Sequence, residues 1–114
     1  MSKQIISEKN FDPGVIQSKL PVLLDFWAPW CGYCRRLMPA VDALSAELAK
    51  TLAVGTINID EEPALAKRFF VDTIPTLILF KDGQAIGKPL VAPDSKAAVE
   101  DWLTENGVVQ EGLV

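Results

Sequence analysis

Val22-Leu23-Leu24-Asp25-Phe26-Trp27-Ala28-Pro29-Trp30-Cys31-Gly32-Tyr33-Cys34 joins an apolar run of strand length to the only two cysteines of the chain. Beyond it, Leu37, Met38, Val41, Leu44 and Leu48 recur at helical spacing, the pattern of a helix with one buried face. The cysteines therefore fall where a buried strand passes into the first turn of a helix. Free N–H groups and the positive end of the helix dipole gather there and favour an anion over a neutral thiol. Arg35 and Arg36 add two positive charges immediately behind. The thiolate is the reactive form of cysteine, so the placement makes a nucleophile.

Other uses of such a pair compete with redox chemistry. Two buried structural cysteines are one. A zinc site is another, but it needs four ligands, and the chain has no histidine and no further cysteine. A metal cluster shared between two chains could draw two cysteines from each. Spacing and charge favour the redox use.

Composition narrows the class. The 114 residues suit one domain with a real core. With 49% apolar and 23% charged residues, the chain is too hydrophobic to stay disordered. A net charge of −4 argues against nucleic acid as a partner, which requires a basic face. The first residues lack an apolar core of signal-peptide length, and no segment approaches the length that spans a bilayer. A cytoplasmic protein is the expectation, with no membrane contact.

Read in order, Gln4-Ile5-Ile6 is a short edge strand, and Asp12-Pro13 supplies an N-cap and first residue for a helix whose inner face is Phe11, Val15 and Ile16. Val22–Trp27 is apolar on both faces except at Asp25, as a central strand covered by helices would be. The long helix is expected from about Cys34 to Thr51, with a kink or restart at Pro39. Residues 53–59 form a third strand. Glu62-Pro63 opens a short helix with Leu65, Ala66, Phe69 and Phe70 inward. Thr76–Phe80 and Ala85–Val91 are strands joined by an Asp82-Gly83 hairpin, the latter marked as an edge by Gly87 and Pro89. Asp94 or Ser95 caps a last helix stopped at Gly107. The fold class is α/β, a single domain over residues 1–107, with a mixed, mostly five-stranded sheet, about four helices, and a tail at 108–114.

Asp25-Phe26-Trp27-Ala28-Pro29-Trp30-Cys31-Gly32-Tyr33-Cys34, followed by Pro39, Asn58-Ile59-Asp60 and Thr73-Ile74-Pro75-Thr76, resembles the thioredoxin family in order and spacing over about the first hundred residues. The resemblance implies the thioredoxin fold and a thiol–disulfide oxidoreductase. Cys31 would attack a partner disulfide and Cys34 would resolve the mixed disulfide. Asp25, costly in an apolar strand unless paired or protonated, would relay a proton to and from Cys34. Ile74-Pro75 would be cis, leaving the Ile74 backbone free to pair with a substrate strand. Gly32 would keep the turn narrow, Trp30 would be an exposed rim aromatic, and Val91 would end the substrate groove.

Three positions depart from the family pattern. Tyr33 replaces the usual proline, and its N–H could point at the Cys31 sulfur. Thr56 stands where the family places a lysine near the aspartate, so that counter-ion is absent. Val91 replaces a glycine. The implied partners are disulfide-containing client proteins and an NADPH-dependent flavoprotein of the thioredoxin reductase type, acting on a monomer that binds no cofactor or metal itself. Two alternatives stay open: an oxidase or isomerase on the same fold, and a non-catalytic binding module.

Overall fold

The computed structural model describes residues 3–108. Its organising element is β2 (Val22–Trp27), which lies in the middle of a sheet ordered β1-β3-β2-β4-β5. The others are β1 (Lys3–Ile5), β3 (Ala53–Asn58), β4 (Thr76–Lys81) and β5 (Gln84–Val91). β1, β3 and β2 run parallel, and β4 and β5 turn antiparallel. Among the described residues, three α-helices accompany them: α1 (Gly32–Glu47), α2 (Pro63–Arg68) and α3 (Lys96–Glu105). A wide helical turn at Asp12–Ile16 is the fourth helical element. The α/β thioredoxin arrangement is the observed one.

The side chains of β2 alternate between two cores. Val22, Leu24 and Phe26 point into a cluster with Phe11, Val15, Ile57, Leu65, Ile78 and Phe80. Phe69 meets Phe80 edge-on at 5.3 Å, a favoured aromatic geometry. Leu23 points the other way, beneath α1 and α3, among Leu37, Val41, Leu44, Leu77, Val99 and Leu103. Asp25 shares that second face.

Local chemistry sets the element ends. The Asp82-Gly83 pair has positive φ at both residues, 53° and 82°, as the tight hairpin requires. Ser95 caps α3, its hydroxyl accepting from the Ala98 N–H at 3.1 Å. After α3, the Gly107 N–H bonds the Thr104 carbonyl and the Val108 N–H bonds that of Leu103, which together close the helix. Val108, assigned to the tail from sequence, is buried in the core. The remaining tail, 109–114, lies outside the described residues.

Several expectations need correction. Asp12 is not an N-cap: Phe11 holds that position in helical conformation without a side-chain cap. The chain enters already turning, with Gly14 N–H on the Asn10 carbonyl, so no extended capping residue exists. The long helix starts at Gly32 rather than Cys34 and ends at Glu47, and it passes through Pro39 without restarting. Pro39 removes one backbone bond, while buried Leu37 and Val41 anchor the helix on either side. Phe70 does not face inward; it is 91% exposed. It sits at φ 57° where α2 closes, with its N–H on the Lys67 carbonyl and the Val71 N–H on that of Ala66, a turn that swings its side chain outward.

Candidate active site

Cys31 is the N-cap of α1. Its backbone is extended, and its Sγ accepts the Cys34 N–H at 3.1 Å. A sulfur in this position takes the place of a capping oxygen and satisfies one free donor of the first turn. The same donor stabilises negative charge when the sulfur is a thiolate. Cys31 and Cys34 form a disulfide with their Cα atoms 5.2 Å apart. Cys31 is 8% exposed and Cys34 1%, so one sulfur faces the surface and the other the interior.

Around the pair stand the residues marked by the sequence. The Ile74–Pro75 bond is cis, and the Ile74 carbonyl oxygen lies 4.0 Å from Cys31 Sγ. Trp30 is 66% exposed and donates its ring N–H to Asp60 Oδ2 at 2.9 Å. Asp60 is itself set by a turn in which its N–H bonds Asn58 Oδ1. A Cβ on Gly32 would meet the Arg36 guanidinium at 3.5 Å and that of Arg35 at 3.9 Å, both ordinary contacts, so the chain's own packing does not demand glycine there. Val91 is exposed opposite Thr76 in the β4–β5 ladder. The adjoining Ala92 N–H bonds the Pro75 carbonyl at 2.8 Å, which draws the end of β5 to the cis-proline loop.

Tyr33 behaves differently from its expected use. The N–H that reaches the Cys31 sulfur belongs to Cys34, because helical geometry aims the third residue's donor back at the cap. Tyr33 instead sends its ring across the surface, donating its hydroxyl to the Ala92 carbonyl at 2.9 Å. The Arg36 guanidinium lies 5.4 Å from the ring centroid, within cation–π range. Neither this latch nor the Trp30–Asp60 bond was visible in sequence. Each joins residues far apart in the chain, and no local spacing signals them.

Asp25, on the same face of β2 as Leu23, is 1% exposed, and among the described residues its Oδ1 has no hydrogen-bond partner. Its strand neighbours in register are Thr56 on β3 and Leu77 on β4. Burial in this apolar setting pushes its carboxyl up to about 7 from the ordinary 3.8; Lys3 pulls it down and Asp42 pushes it up. A carboxyl tuned near neutrality can both hold and release a proton under working conditions. Among the described residues no cluster of three or more histidine, cysteine, aspartate or glutamate side chains is placed to hold a metal. No described helix is long and apolar enough to cross a membrane.

A sulfur capped by a helix N–H, a second, more buried cysteine bonded to it and an adjacent cis-proline define a dithiol–disulfide exchange site on a thioredoxin fold. The thioredoxin family profile matches residues 2–105, and the chain belongs to that family. It is 43% identical over 105 residues to a thioredoxin of Porphyra purpurea, covering 92% of this chain and 97% of that one. It is likewise 43% identical over 94 residues to a thioredoxin of Mycobacterium tuberculosis, 82% of this chain and 80% of the relative. A thioredoxin 1 of Synechococcus elongatus is 42% identical over 81 residues, 71% of this chain and 76% of the relative. The chain is a thiol–disulfide oxidoreductase, and disulfide-bearing proteins and a reductase are its general partners.

Proposed function

We propose that the protein reduces disulfides of client proteins in the cytoplasm and is itself re-reduced by an NADPH-dependent flavoprotein reductase. The Cys31 thiolate attacks one sulfur of a client disulfide; a mixed disulfide forms and the other client sulfur leaves as a thiolate that takes up a proton. Cys34 then gives its proton to the ionised Asp25 carboxylate and attacks the Cys31 sulfur. The second client sulfur leaves, two electrons have passed to the client, and the protein is left with the Cys31–Cys34 bond. The client lies as an extended strand against Ile74 and Pro75, bounded by Trp30, Gly32, Tyr33 and Val91. The protein acts as a monomer with neither membrane nor nucleic acid as partner. No step needs a cofactor or metal on this chain.

The observation that carries this reading is the Cys34 N–H on the Cys31 sulfur, with the Ile74 carbonyl beside it. Insulin reduction with reductase and NADPH tests it. Cys31→Ser should abolish turnover, and Cys34→Ser should accumulate a mixed disulfide through Cys31. A mixed disulfide captured through Cys34 instead would reverse the two roles. Turnover lost in every assay, with a strongly oxidising glutathione titration, would favour the oxidase or isomerase alternative.

A further inference from the structure

Four elements meet over Asp25, and the edge strand among them carries a charge. Asp25, Thr56 and Ile5 occupy neighbouring register positions on β2, β3 and β1. Lys3 lies two residues before Ile5 and therefore shares its face. Against this face a hollow of about 400 Å³ opens beside α1, lined by Lys3, Ile5, Trp27, Arg35, Met38 and Thr56. The Lys3 ammonium is held at its rim by Asp42 of α1 at 2.5 Å. Thr56, next to Asp25, forms part of the wall. Asp25 meanwhile has a wholly buried oxygen with no partner among the described residues.

We propose that Lys3, divided between Asp42 and the hollow, is the cationic partner of Asp25 and governs when the buried carboxyl releases its proton. The charge that β3 does not supply at Thr56 arrives instead from the edge strand, two strands away. The other charged or titratable groups facing Asp25 are few. On α1, Arg35 lines the hollow but is held to the Pro29 carbonyl at 2.7 Å, Asp42 is the partner of Lys3, and the dithiol lies at the helix start. β4 offers only Leu77. Lys3 and Asp42 are the two charges that act on the Asp25 equilibrium, and they act with opposite signs. Asp42 therefore has two effects: its own repulsion of Asp25, and its hold on the lysine.

This inference rests on reading Asp25 as a proton carrier, but its test does not. The Asp25 carboxyl can be followed directly by carbon NMR across pH in the oxidised protein, without any turnover. Lys3→Met should raise the titration midpoint by about half a pH unit, the effect of one partly screened charge. Asp42→Asn should lower it by a similar amount, and Lys3→Arg should keep the parent value. Both side chains reach solvent, so the fold should persist, and near-ultraviolet circular dichroism checks that it does. Opposite displacements are a signature that loosened packing would not produce. Midpoints that stay put, or that move in the same direction in both variants, would overturn the assignment. The proton-carrier reading fails separately, if Asp25→Asn leaves the pH profile of client disulfide reduction unchanged.

Discussion

The two faces of β2 are built from one strand and do opposite things. On one, Val22, Leu24 and Phe26 join an aromatic-rich cluster with no buried charge. On the other, Leu23 and Trp27 flank a carboxyl with an unpaired buried oxygen. The first face contributes stability; the second spends some of it to keep a carboxyl buried. A strand can carry both because its side chains alternate, so strain on one side need not loosen packing on the other.

The largest effect expected from this contrast is on the apolar face. Phe26→Ala should destabilise the fold by about 3–5 kcal/mol, read by urea unfolding, while leaving the Asp25 titration near its parent midpoint. A marked change in that titration would mean that the two faces are coupled.

Asp25→Leu should do the reverse. The folded-state value of this acid, about 7, lies above the ordinary 3.8. Its contribution is therefore intact below about 3.8 and is lost as pH rises through about 7. At pH 8 the leucine variant should be more stable than the parent by as much as about 4 kcal/mol. The gain should shrink on acidification and nearly vanish at pH 4. A gain independent of pH would place its origin in packing rather than in charge.

The finest comparison uses two adjacent residues of β3 that point to opposite faces. Ile57→Val should cost about 1 kcal/mol and leave proton binding alone. Thr56→Val should alter stability by less than about 1 kcal/mol, but should raise the Asp25 midpoint by removing a polar neighbour of the ionised form. Matched unfolding and NMR titrations of the two variants separate these outcomes.

What could be read in advance follows the same division. The sequence of strands and helices along the chain, the Asp82-Gly83 hairpin, a cap at Asp94 or Ser95 and the place of the dithiol all carry local signals, because periodicity and turn chemistry are written within a few residues. Phe70 was misplaced because its apolar character says nothing about a backbone that must turn left-handed after α2. The Tyr33 latch on Ala92 spans 59 residues and the Lys3–Asp42 pair 39. A polar contact between such distant positions exists only once the fold brings them together. The missing lysine at Thr56 was legible, whereas the charge reaching the same face from β1 was not.

The outer strand β5 has one more consequence. Pro89 has no N–H to offer, and the Lys88 carbonyl is already taken by the Trp102 ring N–H at 2.9 Å. At Gly87 the C-terminal end of α3 presses so close that a Cβ would lie 2.1 Å from Asn106 Oδ1. A foreign strand seeking to extend the sheet there finds its hydrogen-bonding row interrupted and partly roofed. At the opposite margin, among the described residues, β1 is three residues long. Copies of the protein crowded together thus have little template for adding strand to strand, and the molecule can keep a reactive sulfur near its surface without also presenting a sticky border.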